Sequence, residues 1–189
     1  PDAPLVLGVS RLVPRKGFDV LLEAVAPLAP TQVAIAGAGR DRARLERRAR
    51  RLGGRAVVLG EVTGDALPAL YACADVFAMP CRDRWAGLEA EGFGIVFLEA
   101  AACGVPAVAG RSGGSHEAVL DGETGYVVAP RDPASVRDAI ARLVDDPALR
   151  RTLGDAARDR ARAAFAYDAL ARRLAPLASG KLDELDVNA

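Results

Sequence analysis

The feature that most constrains the fold of this chain is an alternation. Short uninterrupted apolar runs recur along it, and each is followed by a stretch of helical periodicity. Leu5-Val6-Leu7-Gly8-Val9 is the first run. A strand apolar on both faces belongs in a parallel sheet covered on both sides. Gly17 to Leu28 follows with Phe18, Leu21, Leu22 and Val25 on one helical face. The same reading predicts strands at Val33–Ala36, Ala56–Leu59, Val76–Met79, Pro106–Ala109 and Gly125–Ala129. It predicts helices over Arg40–Leu52, Asp65–Ala74, Gly94–Cys103 and Ser115–Leu120, with a long polar loop from Pro80 to Gly92. Three helices then follow without a strand, at Pro133–Val144, Pro147–Ala164 and Tyr167–Leu177. The expected fold is α/β, a doubly wound parallel six-stranded Rossmann-like sheet with extra C-terminal helices. Residues 1–178 form that domain and 179–189 a polar, frayed tail.

Composition narrows the function. The 25 basic and 25 acidic residues cancel, which excludes a simple basic nucleic-acid binder and an acidic tail protein. Lys16 and Lys181 are the only lysines, so Arg-rich stretches carry little meaning by themselves. No apolar stretch approaches the length of a membrane span, and no secretory signal opens the chain. Cys73, Cys81 and Cys103 form no CxxC pair, which suits a reducing cytoplasm. The opening Pro-Asp-Ala-Pro, without Met, reads as a linker into a strand and suggests an excised domain.

Right-handed crossovers bring every strand's C-terminal end to one edge of such a sheet, where its ligands bind. Three groups of residues fall there. In Ser10–Gly17, Arg11 and Lys16 flank a turn before a helix. Two cations beside free backbone N–H groups suit a diphosphate, and a solvated Arg-rich loop is the equal alternative. Gly37-Ala38-Gly39-Arg40 resembles the start of a dinucleotide fingerprint, with Glu61 near its acidic position. Arg42 occupies the third glycine position, so a plain tight turn explains it better. In Glu91-Gly-Phe-Gly94-Ile-Val-Phe-Leu-Glu99, Glu91 stays on the loop and Gly94 turns the chain into a helix. The N–H groups of Ile95 and Val96 are then left unpaired. Glu99 follows a turn later among Val96, Leu98 and Ala100, a costly place for a carboxylate unless donors such as a ribose diol reach it. The bland alternative pairs Glu99 with an arginine and leaves Glu91 in solvent.

Weaker signals are His116, which reads as a capping or surface residue, and the basic helix Arg40–Arg51, which reads as a solvated face rather than a lipid contact. No cluster has metal-ligand spacing, and neither a nucleophile elbow nor a P-loop occurs.

In this order, the segments Ser10–Gly17, Gly37–Arg40 and Glu91–Glu99 resemble the C-terminal domain of a retaining glycosyltransferase of family 4 with the GT-B fold. Glu99-Ala-Ala-Ala-Cys-Gly-Val-Pro-Ala-Val-Ala-Gly-Arg-Ser-Gly-Gly and Asp121-Gly-Glu-Thr-Gly-Tyr-Val-Val extend the likeness, which runs from about Leu5 to Leu177. The stretch from Gly87 to Glu99 is similar to the actinobacterial phosphatidylinositol mannosyltransferases. The resemblance implies a metal-independent hexosyltransferase without a cofactor. Its donor would be a nucleotide-diphospho-sugar, GDP-mannose before a UDP-sugar. It implies that Arg11 and Lys16 grip the diphosphate and that Glu91 meets the sugar hydroxyls, these three being the catalytic set. Glu99 would take the ribose hydroxyls, the N–H groups of Ile95 and Val96 after Gly94 a phosphate, and Val62 with Glu61 the base. The family's acceptor-binding N-terminal domain, its route to the membrane's inner face, is missing from the chain. The chain is then half an enzyme, inactive alone, whose last helix would lose its brace or pack on another copy. The competing readings are a cofactor domain of an oxidoreductase and a non-catalytic sugar-nucleotide sensor.

Overall fold

Six strands form as the apolar runs require: β1 (Leu5–Val9), β2 (Gln32–Ala36), β3 (Ala56–Gly60), β4 (Val76–Met79), β5 (Ala107–Gly110) and β6 (Gly125–Val128). The computed structural model describes residues 3–181; most of the expected tail lies outside the described residues. All pairings are parallel, in the order β3-β2-β1-β4-β5-β6. Val6, Leu7, Ile35, Phe77, Met79 and Val108 are buried on the sheet, as continuous apolar strands demand.

The strand order runs one way from β1 to β3 and the other way from β4 to β6. With right-handed crossovers this sends the helices before β3 to one face of the sheet and those between β3 and β6 to the other. α1 (Phe18–Val25) and α6 (Pro133–Asp145) pack together, and α4 (Ile95–Ala102) packs with α7 (Pro147–Phe165). α2 (Arg42–Ala49) covers β3, α3 (Leu67–Ala72) lies by α4, and α5 (Ser115–Ala118) by β5. Under α3 and α4, Phe77 meets Phe97 edge-on at 5.6 Å and Tyr71 at 5.8 Å. Pro133 and Pro147 start α6 and α7, capped by Asp132 and Asp146, whose carboxylates accept from backbone N–H groups.

Three local expectations change. The helix read over Arg40–Leu52 ends in a 3₁₀ turn, Arg50–Leu52, stopped by left-handed Gly53. The helix read over Asp65–Ala74 shrinks to a 3₁₀ turn and the six residues of α3. That short helix leaves one face of edge strand β3 bare: Val57 and Leu59 are exposed although their run is apolar throughout. α8 (Tyr167–Ala178) follows α7 but buries only Ala169, and Tyr167, Leu174 and Leu177 are exposed.

Candidate functional site

The direction of the strand order reverses between β1 and β4, which opens a crevice at their C-terminal ends. The loop after β1 forms a 3₁₀ turn, Pro14–Lys16, with basic Arg15 and Lys16 in its last positions. Its end folds Lys16 inward, so the side chain is buried. Lys16 Nζ donates to Glu91 Oε2 at 2.6 Å. Arg15 Nη1 donates to the same oxygen at 3.3 Å and to the Ala90 carbonyl at 3.0 Å. The Glu91 N–H donates to Ser112 Oγ, whose hydroxyl donates to Asp83. Glu91 is therefore buried and held on three sides, the opposite of the solvated residue of the bland alternative. Gly113 (φ +48) lets the chain after β5 pass against Glu91, where a Cβ would collide with the Glu91 carbonyl oxygen. Burial, then the Glu91 charge, pushes the neighbouring Cys81 thiol up to about 12, so it stays protonated and inert.

Gly94 (φ +85) turns the loop into α4, as expected. The N–H groups of Ile95 and Val96 make no hydrogen bond among the described residues, and the first helical amide to be paired there is that of Phe97. They are oriented donors at a helix start beside the Lys16–Glu91 pair in sequence and fold, a setting that favours an anion.

Glu99 departs from expectation. Phe97, Ala100 and Ala101 form the buried stripe of α4, whereas Ile95, Glu99 and Ala102 share its open face. Its carboxylate is exposed and pairs with no arginine among the described residues; it accepts from the Tyr71 hydroxyl at 2.6 Å. Burial, then the Glu99 hydrogen bond and charge, pushes the Tyr71 phenol far above its ordinary range, so it remains the donor. One carboxylate oxygen of Glu99 is thus oriented while the other faces solvent. Replacing Glu99 with Ala should weaken nucleotide-sugar binding by about 1.5–3 kcal/mol, the worth of a charged hydrogen bond. Binding of an analogue lacking both ribose hydroxyls should hardly change, and equal losses in calorimetry would refute a ribose contact.

Arg11 is exposed and does not join Lys16 in the ion pair. With Val62 and Glu61 it lines a recess of about 230 Å³ at the ends of β1, β2 and β3, together with Gly37 and Ala38. Gly37 and Gly39 make the tight turn at its floor, and Arg42 reaches over Gly60, where a dinucleotide fingerprint would have no side chain. His116 sits exposed on α5.

The loop from Pro80 to Gly92 is more ordered than its polarity suggested. Arg84 and Glu89 pair across a small hairpin, backbone to backbone and at 3.0 Å between side chains. Arg82 donates to Asp19 Oδ2 at 3.0 Å, and Arg44 approaches that oxygen at 3.3 Å. Burial raises the Asp19 carboxyl, but the Arg82 hydrogen bond and the charges of Arg82 and Arg44 outweigh it and hold the group below its ordinary value. A carboxyl that binds its proton less tightly when folded stabilises the fold fully above its unfolded value, 3.8, and loses this as pH falls through the folded one. Stability should therefore fall below about pH 4, and Asp19→Asn should flatten that limb of the pH profile in chemical denaturation.

A parallel sheet of this order with cations and a carboxylate at its reversal point defines a Rossmann-like domain with a ligand crevice. The chain belongs to the glycosyl transferases group 1, whose family model matches residues 1–160, and has the form of the C-terminal domain of a GT-B, family 4 enzyme. Over 186 residues it is 47% identical to the GDP-mannose-dependent alpha-(1-6)-phosphatidylinositol monomannoside mannosyltransferase of Mycolicibacterium smegmatis, covering 95% of this chain and 49% of that protein. Its fold is similar to sucrose-phosphate synthase from Thermosynechococcus elongatus, with TM-score 0.85 and 34% identity over 95% of this chain and 45% of that one. It is also similar to Anabaena HepE in complex with UDP and glucose, with TM-score 0.84 and 27% identity over 95% and 49% of the two chains. The chain spans about half the length of the curated relatives it matches.

Sequence reasoning missed Arg15. It stands next to Lys16, but in an Arg-rich chain nothing local separates it from a solvated neighbour. Its role comes from the Ala90 carbonyl, which only the fold brings near.

Proposed function

We propose that the chain is the donor-binding half of a retaining, metal-independent glycosyltransferase that moves mannose from GDP-mannose to an acceptor. One observation carries this: Lys16 and Arg15 converge on buried Glu91 at the β1–β4 crevice, beside the open amides of Ile95 and Val96. The recess around Arg11 and Val62 takes the base, and Glu99 the ribose hydroxyls. The diphosphate lies on Arg11, Lys16 and the helix amides, and Glu91 meets the sugar. As the glycosidic bond breaks, negative charge grows on the leaving diphosphate. Fixed cations and backbone dipoles already aimed at it lower that barrier without reorganising. The family membership and the mannosyltransferase relative support GDP-mannose; the HepE complex makes a UDP-sugar the competing donor.

The proposed setting is the cytoplasmic face of a membrane, with contact made through the remainder of the protein. No helix among the described residues is long and apolar enough to cross one. Calorimetry on the chain tests the donor reading. GDP-mannose should bind in the presence of EDTA, more tightly than UDP-glucose. A strict requirement for a divalent ion would refute metal independence, and preferential binding of NAD(H) would move the chain to the oxidoreductases.

A further inference from the structure

The loop that carries Glu91 is tied to the segment after β1 at both of its ends. At the far end, Arg15 reaches the Ala90 carbonyl and Glu91, and Lys16 reaches Glu91. At the near end, the Arg82 N–H donates to the Arg15 carbonyl at 2.8 Å. The Arg82 guanidinium then donates to Asp19 Oδ2 at 3.0 Å. Arg15 is therefore shared: its main chain holds one end of the loop and its side chain the other.

Asp19 is a fixed point. It stands in the first turn of α1, directly after the Lys16 turn, and its neighbours Phe18, Val20, Leu21 and Leu22 are buried. Arg48 donates to its backbone carbonyl at 3.3 Å. The Asp19 and Arg82 side chains are each only 12% exposed, so water and salt screen the pair little. A buried ion pair adds little net stability, because desolvation offsets the attraction. It supplies a single arrangement instead, since any displacement strands a desolvated charge. Arg44 of α2 approaches the same oxygen at 3.3 Å, and its other ion pair among the described residues is with Asp41, at the start of its own helix. Two cations thus meet one oxygen, and only Arg82 belongs to the loop of Glu91.

We propose that Asp19 and Arg82 are positioning residues for the donor sugar. By pinning the near end of the loop to α1, they fix where Glu91 stands with respect to Lys16, and hence to the diphosphate. They act through Glu91 and not on the donor itself. The inference rests on the donor reading, in which Glu91 meets the sugar.

Calorimetry with GDP and with GDP-mannose separates the sugar from the nucleotide. Arg82→Gln keeps the backbone bond to Arg15 and loses the tie to Asp19. It should weaken GDP-mannose about five- to tenfold and GDP by less than about twofold, because one charged contact to the sugar is misplaced. Arg44→Gln takes the other cation from the same oxygen. It should lower the melting temperature by a similar amount and keep both affinities. Arg82→Lys, whose ammonium still reaches the carboxylate, should restore most of the GDP-mannose affinity. If Arg82→Gln does not fold, Asp19→Asn decides. It keeps the shape and an acceptor oxygen, removes the charge, and should show the same selective loss at about two- to threefold. The proposal fails if the variant that folds melts lower yet keeps its GDP-mannose affinity, which would make the pair a brace of the fold alone. It fails equally if GDP and GDP-mannose weaken by the same factor, or if Arg44→Gln gives the same selective loss. A wild-type chain that binds neither ligand would instead overturn the donor reading, and this inference with it.

Discussion

Lys16→Met should weaken nucleoside-diphosphate binding tenfold or more and lower the melting temperature together. The ammonium is buried, and its nearest partner, Glu91 Oε2, lies 2.6 Å away and is buried as well. Removing one member of such a pair leaves a desolvated charge, at a cost of about 3–5 kcal/mol. Arg15 still reaches the same oxygen at 3.3 Å, so the lower figure applies. For a domain of this size about 3 kcal/mol corresponds to a drop of roughly 6–12 °C. Loss of a charged contact to the diphosphate adds about 1.5–3 kcal/mol in binding, tenfold or more in Kd. The double variant Lys16→Met/Glu91→Gln separates the two effects. It should recover most of the melting temperature, because no uncompensated carboxylate remains and Arg15 keeps Glu89 at 3.9 Å, yet it should not recover GDP binding. Wild-type affinity for GDP in either variant would show that Lys16 serves only the fold.

Incubated with GDP-mannose and candidate acceptors, the 189-residue chain should bind the donor and release no GDP above background. The donor contacts proposed here all lie within residues 10–99 and form one wall of the proposed site. Holding two reactants in register is worth on the order of 7–11 kcal/mol, and a closed site also excludes water. The relatives are about twice as long, which leaves ample chain for a second wall. The exposed Tyr167, Leu174 and Leu177 of α8 agree with a helix that finishes its packing elsewhere. An assay of nucleotide release decides it. Sustained turnover would mean that the active site is complete within this chain and that the half-enzyme reading is wrong.

Elements were legible where one local rule sufficed. All six strands appear where uninterrupted apolar runs stand, because a strand covered on both faces needs apolar residues at every position. The long C-terminal helices begin where Asp-Pro marks a cap and a first helical residue. Errors arose where sequence neighbours stood in for spatial ones. Glu99 has apolar neighbours along the chain, yet the 3.6-residue period places it with Ile95 and Ala102 on the open side of α4. That signal was present and was outweighed by the local composition. Val57 and Leu59 read as buried because the pattern of a strand says nothing about how long the helix beside it will be.

By itself, then, the sequence determined the alternation of strands and helices. Together with the fixed hand of crossovers, that alternation brings Arg11, Lys16, Glu91 and the start of α4 to one sheet edge. Only the tertiary structure decided what those residues touch. It buried Glu91 against Lys16 and Arg15, gave Glu99 the Tyr71 hydroxyl, and sent Arg11 to the recess at the ends of β1, β2 and β3 instead of the ion pair. The reason is range. Periodicity and capping act over a few residues, but these contacts join positions from 28 to 76 apart in the chain, which meet only after the sheet has formed.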